Sequence, residues 1–219
     1  MTKIYLVRHC QALGNKQKLF QGHIDTDISE LGEVQLEYLA KRFEDIHIDT
    51  FISSPLVRAY KTALAVASPK NMVVNTNKDF IEMFCGELDG KTFAYIFDTY
   101  PDLKYAWFEE PENFEPIGGE TMRELFARAK RALKEVVDNP ENKDKTLFIA
   151  THGGFLRCLQ CALIYDNIER LKDVPWSTNT AVTLLCCDSE DIKIEYFADD
   201  SHLPEELRTS VARMLPKQT

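Results

Sequence analysis

At 219 residues, with 44% hydrophobic and 28% charged side chains, the chain can bury a full core and has the balance of a globular protein. A formal charge of -9 argues against a nucleic-acid surface, which wants clustered Lys and Arg. It still permits a small anion held by a few arginines, because exposed charges are screened beyond about 8 Å. No apolar run reaches the roughly 18 residues of a membrane span, and no basic-plus-apolar leader opens the chain. The expectation is therefore one domain over 1–219, cytoplasmic and away from membranes. Six cysteines in such a chain read as thiols. Cys158 and Cys161 have metal-like spacing without a second pair, so no metal is expected.

In chain order, Ile4 to Val7 is a short apolar β-run that stops on Arg8 and His9. In α/β sheets ligands bind just beyond such strand ends; the two residues could equally cap the strand and face water. A polar loop follows with Asn15, Gln21, Gly22 and His23. Ser29 reads as the N-cap of a helix that buries Val34, Tyr38, Leu39 and Phe43. Thr50 to Ser53 is a second strand. Ser54 and Pro55 supply an N-cap and a first-turn proline for a helix carrying Leu56, Ala59, Tyr60, Ala63, Leu64 and Ala67. That puts Arg58 in a first helical turn just after a strand. Met72 to Val74 is a third strand, leading to Phe80-Ile81-Glu82 and the turn-rich Cys85 to Gly90.

The segment of about 93–120 mixes aromatics (Phe97, Tyr100, Tyr105, Trp107, Phe108, Phe114) with Glu109, Glu110, Glu112 and Glu115. It reads either as a small cap insertion over the site or as a helical excursion on the far side. Thr121 and Glu124 form a capping box for a helix burying Met122, Leu125, Phe126, Ala129, Leu133 and Val136. Thr146 to Ala150 is a buried strand ending in Thr151-His152-Gly153-Gly154, and Phe155, Leu156, Leu159 and Leu163 continue as a helix. Ala181–Cys187 and Ile192–Phe197 form a hairpin around residues 188–191. Pro204 to Leu215 reads as a surface helix. Alternating strands and helices predict an α/β fold with a mostly parallel sheet and an antiparallel edge.

Three strand-to-helix junctions thus carry Arg8-His9, Arg58 and His152-Gly153-Gly154. Guanidiniums and helix N-termini suit a phosphate, with no Walker loop and no metal cluster. Leu6-Val7-Arg8-His9, Ser53-Ser54-Pro55-Leu56-Val57-Arg58-Ala59, Glu82 followed by Gly86, and Thr151-His152-Gly153-Gly154 resemble, in order, the histidine phosphatase (phosphoglycerate mutase-like) superfamily. Weaker matches lie at Gln21-Gly22, Gly118-Gly119-Glu120 and Ser201-His202-Leu203. The family usually follows Arg-His with Gly, then Glu or Gln, then Thr or Ser; here stand Cys10, Gln11 and Ala12.

The resemblance implies a three-layer α/β/α sandwich. It also implies a metal-independent, cofactor-free phosphatase of its hydrolase branch, acting on a small-molecule phosphomonoester, with a homodimer left open. His9 would be the nucleophile, carrying a phosphohistidine. Arg8, Arg58 and a protonated His152 would hold the phosphoryl oxygens, and Glu82 would serve the leaving oxygen and then water. Asn15, Gln21, Gly22 and Gly153 would complete the phosphate and substrate contacts. One alternative is a mutase, although Met83, Cys85 and Phe93 stand where a mutase would recruit basic or tyrosine residues. Another is a cysteine phosphatase using His9-Cys10, which would need arginine where Lys16 stands. The last is a non-catalytic phosphate-binding module. The glutamates of the insertion are expected to repel a second phosphate, and its aromatics to favour small or aromatic monoesters.

Overall fold

The computed structural model describes residues 1–188 and 191–209. Its elements are β1 (Thr2–Arg8), α1 (Leu13–Lys16), α2 (Glu30–Arg42), β2 (Thr50–Ser53), α3 (Val57–Ala67), β3 (Val74–Thr76), α4 (Phe93–Thr99), α5 (Pro101–Glu109), α6 (Met122–Asp138), β4 (Thr146–Thr151), α7 (Gly153–Tyr165), β5 (Val182–Cys187) and β6 (Ile192–Asp199). The sheet runs β3-β2-β4-β1-β5-β6. The first four strands of that order are mutually parallel, while β5 and β6 form the antiparallel edge.

Strand alternation builds the layers. Tyr5 and Val7 lie opposite Phe148 and Ala150 in the register of β1 and β4, and all four pack with Leu39, Phe43, Ala59 and Ala63 beneath α2 and α3. Ile4, Leu6, Leu147 and Ile149 point the other way, into a core with Leu125, Leu133, Leu156 and Leu159 of α6 and α7. The result is the expected three-layer α/β/α arrangement.

Helix starts follow local chemistry, with two corrections. Ser29 Oγ accepts from Gly32 N at 3.1 Å, and Thr121 and Glu124 close the capping box, each side chain accepting from the other's backbone N–H. Yet Val34 and Tyr38 of α2 are exposed, because the face fixed by Leu36, Leu39 and Phe43 lies about 160° around the helix from them. Leu64 of α3 is exposed too. Nor does Ser54 cap α3: the helix opens at Leu56 with no side-chain cap, and Asp25 Oδ1 accepts from Val57 N at 2.8 Å instead.

The third strand occupies Val74–Thr76, later than expected. The insertion forms α4, α5 and a 3-10 turn at Pro111–Asn113. Phe93, Phe97, Trp107 and Phe114 pack with one another and with Phe20. Of the helix expected from Pro204 to Leu215, the described part holds one 3-10 turn, Glu205–Leu207; residues 210–215 lie outside the described residues, as do 189–190 of the hairpin turn. Among the described residues no helix is long and apolar enough to cross a membrane.

Candidate active site

Because β2, β4 and β1 are sheet neighbours, their carboxyl ends deliver Ser53-Ser54, Thr151-His152 and Arg8-His9 to one edge. The His9 and His152 rings stand 5.2 Å apart, centroid to centroid. His9 Nδ1 donates to Cys10 O at 2.6 Å, which leaves the lone pair on Nε2 of a ring that lines the adjoining cavity. Burial, reinforced by Arg58 and Arg8, holds His9 well below the ordinary imidazole value, so it is neutral at pH 7. Its neighbour Cys10 is fully buried, and burial pushes the thiol up to about 12. A thiolate nucleophile is therefore not on offer.

His152 corrects one expectation. Burial, then Arg58, His9, Arg128 and Arg8, keep it well below the ordinary value, so it is neutral rather than protonated. Its Nε2 sits 2.7 Å from Ser54 Oγ. That hydroxyl accepts from Leu56 N at 3.3 Å, and in the tautomer where its own proton goes to Nε2 the ring's proton sits on Nδ1. A neutral His152 can thus still donate a hydrogen bond.

Both arginines are buried behind the site. Arg8 Nη1 donates to Ser177 O, while Arg58 donates from Nη1 to Ile24 O and from Nη2 to Gly22 O, each at 2.9 Å. Burial lowers Arg8 to about 10, still cationic at pH 7. Among the described residues, four buried side-chain polar atoms have no hydrogen-bond partner. Three of them are Arg8 Nε, Arg58 Nε and His152 Nδ1, all donors around His9. Orphaned donors in a native interior need a partner, and three beside one imidazole suit an oxyanion.

Glu82 occupies the N-terminus of α7. Its carboxylate accepts from Gly154 N at 2.9 Å, Phe155 N at 3.1 Å and Met83 N at 2.9 Å. A Cβ on Gly154 would fall 2.7 Å from Glu82 Oε1, and one on Gly153 would fall 3.2 Å from Arg8 Nε. The double glycine is what lets the carboxylate and the guanidinium approach this helix end. Arg128 steadies the segment from behind. It donates to Asp79 O, Ile81 O and Glu82 O while paired through two nitrogens with Glu120.

Arg8, His9, Asn15, Gln21, Glu82 and Gly153 line one cavity. Asn15 Oδ1 accepts from Ala12 N at 2.9 Å, which leaves its N–H donors for the cavity. Gly22, Arg58 and His152 are not on the cavity wall; Gly22 serves as an anchor for the Arg58 guanidinium, and Arg58 and His152 stand against His9. His23 touches Glu82 O through Nε2 at 3.0 Å. The far wall is apolar, with Phe20, Met83, Cys85, Phe93, Trp107 and Trp176. The insertion therefore does cover part of the site, but through Phe93 and Trp107. Glu109, Glu110, Glu112 and Glu115 line none of it, and Glu109 is instead paired with Lys172, so they provide no repulsion there. Among the described residues no group of three or more His, Cys, Asp or Glu could hold a metal.

Sequence reasoning missed Ser54 as the partner of His152, Asn179 and Trp176. Asn179 Nδ2 donates to His9 O at 2.8 Å from wholly inside the protein. Its only signal is an asparagine just before an apolar strand. Trp176, in a loop without periodicity, gave none.

A family model described as the histidine phosphatase superfamily (branch 1) matches residues 4–200. The chain is 35% identical over 170 residues to phosphoserine phosphatase 1 of Hydrogenobacter thermophilus, covering 78% of this chain and 80% of that one. It is 30% identical over 210 residues to a metal-independent phosphoserine phosphatase of Arabidopsis thaliana, covering 93% and 84%. Among solved structures, a mycobacterial glucosyl-3-phosphoglycerate phosphatase in complex with VO3 superposes with a TM-score of 0.81 at 28% identity, covering 90% of this chain and 99% of that one.

Proposed function

The chain belongs to the histidine phosphatase superfamily, and on that premise we propose that it is a metal-independent phosphatase hydrolysing small phosphomonoesters through a phosphohistidine on His9. His9 Nε2 attacks phosphorus in line and the ester P–O bond breaks. Glu82 delivers a proton to the departing alcohol oxygen. Water, deprotonated by Glu82, then attacks the phosphohistidine and releases inorganic phosphate and a free His9. Arg8, Arg58 and the Nδ1–H of His152 hold the equatorial oxygens, so the positive charge comes from the protein itself. The observation that carries this reading is the trio of orphaned buried donors around a neutral imidazole. Two relatives named as phosphoserine phosphatases, one of them as metal-independent, support it. A cytoplasmic location is part of the proposal, and six buried, unpaired thiols suit a reducing compartment.

Return of the phosphoryl group to substrate, as in a mutase, would require retention of a second phosphate. Met83, Cys85 and Phe93 offer it no charge. The test is p-nitrophenyl phosphate hydrolysis beside 3-phosphoglycerate isomerisation, with and without 2,3-bisphosphoglycerate, in wild type, His9→Ala and Cys10→Ser. Hydrolysis should dominate, vanish in His9→Ala and largely persist in Cys10→Ser. Dominant isomerisation, or a dead Cys10→Ser beside an active His9→Ala, would overturn the proposal.

A further inference from the structure

We infer that the alcohol this enzyme releases is apolar and carries neither a carboxylate nor an ammonium group. The inference rests on the phosphatase reading and goes beyond it by naming the leaving group. It also separates this chain from the phosphoserine phosphatases it resembles in sequence.

The ionisable side chains lining the cavity are Arg8, His9, Glu82 and Cys85. The first three belong to the phosphoryl end, where Arg8 and Glu82 flank the attacking histidine. Beyond them stand two uncharged polar side chains, Asn15 and Gln21, and an apolar wall that includes Phe20, Met83, Phe93, Trp107, Met122 and Trp176. Five of these six apolar side chains are buried, and Trp176 is half-buried. A serine-like leaving group would bring a carboxylate and an ammonium into this wall. Each would shed water and meet no countercharge, which is unfavourable for any ion in an apolar site.

Shape supports the same class. Trp107 and Trp176 stack with centroids 5.4 Å apart and planes 23° from parallel, and Phe20 meets Trp107 edge-on at 5.0 Å. These rings hold one another in place and form a fixed apolar wall against which an apolar group can pack. The cavity measures about 70 Å3, several times the roughly 10–15 Å3 of a single water.

The test compares phosphate release from benzyl phosphate, propyl phosphate and phosphoserine by one enzyme preparation; all three are alkyl esters, unlike p-nitrophenyl phosphate with its activated leaving group. The expected kcat/KM order places benzyl phosphate at least tenfold above phosphoserine, with propyl phosphate between them. In Trp176→Ala the benzyl-to-phosphoserine ratio should fall at least fivefold. In Met83→Lys, which adds a cation to the wall, phosphoserine should gain relative to benzyl phosphate. Using ratios within each preparation removes the effect of partial misfolding. Phosphoserine matching or exceeding benzyl phosphate in the wild type would overturn this inference alone. An unmoved ratio in both variants would do the same. Absence of phosphate release from all three esters would overturn the phosphatase reading and this inference together.

Discussion

Glu82 shows how one residue's role is set by its neighbours' backbones. Three N–H donors fix its carboxylate at the start of α7, one helical turn from the histidine pair. If it serves the leaving oxygen, Glu82→Gln should lower kcat for alkyl phosphates by about 10²–10⁴. The loss should be much smaller for p-nitrophenyl phosphate, whose leaving group needs no proton, and KM should barely move. Equal losses on both esters would place the effect in the water step that both share or in structure, rather than in protonation of the leaving oxygen. At this scale the sequence was legible where a chemical residue ended a strand or opened a helix, as Arg8, His9, Arg58 and His152 do. It misled at Ser54, because a serine before proline carries the N-cap pattern. Asp25 serves that helix end from another loop, and so the Ser54 hydroxyl is free for His152. That diversion is a long-range contact which local pattern does not encode.

The element that holds the histidine from behind is the segment entering β5. Thr180 N donates to Arg8 O, Asn179 Nδ2 to His9 O, and Arg8 Nη1 to Ser177 O. Asn179 in turn joins the chain's later part, since its backbone N–H donates to Thr209 O and its Oδ1 accepts from Thr209 Oγ1 at 2.7 Å. Asn179→Ala removes the partner of the buried His9 O and of the half-buried Thr209 hydroxyl. It should cost about 1–3 kcal/mol of stability in urea unfolding and lower kcat more than it raises KM. Unchanged kcat in a destabilised variant would assign the residue to folding alone. Elements with strong periodicity and a cap, such as α6, were legible at their start and along most of the buried face, although Phe126 is only half-buried and Ala132 joins the core. On α2 the period was right and the face half right: Leu39 and Phe43 are buried, Val34 and Tyr38 are not. Val34 and Tyr38, four residues apart, fit a helical stripe as well as Leu36, Leu39 and Phe43 do, and only the sheet beneath decides between them. The insertion's position was legible; that its aromatics rather than its glutamates face the cavity depends on how α4 and α5 pack against Phe20.

Across the whole molecule, the parallel strands gather a cationic, buried site at one edge of a protein whose net charge is -9. This arrangement has a pH signature. His9 and His152 are held well below their ordinary value when folded, whereas the unfolded chain's imidazoles titrate near 6.5. As pH drops below about 6.5 the unfolded state binds protons the native state refuses. Stability then falls, by up to about 1.4 kcal/mol per pH unit for each such histidine. His202, lowered to about 4 mainly by burial and then by Arg42, adds to the same trend. The urea midpoint at pH 5 should therefore lie below that at pH 7; an equal or higher midpoint at pH 5 would mean these imidazoles are not held neutral. The central claim is that His9 carries the phosphoryl group between its two transfers. Its most direct test is rapid acid-free quenching during turnover of a radiolabelled phosphomonoester, followed by mapping of the labelled peptide. The account predicts alkali-stable, acid-labile label on His9, absent from His9→Ala; label on Cys10, or turnover with no trapped label on any residue, would contradict it.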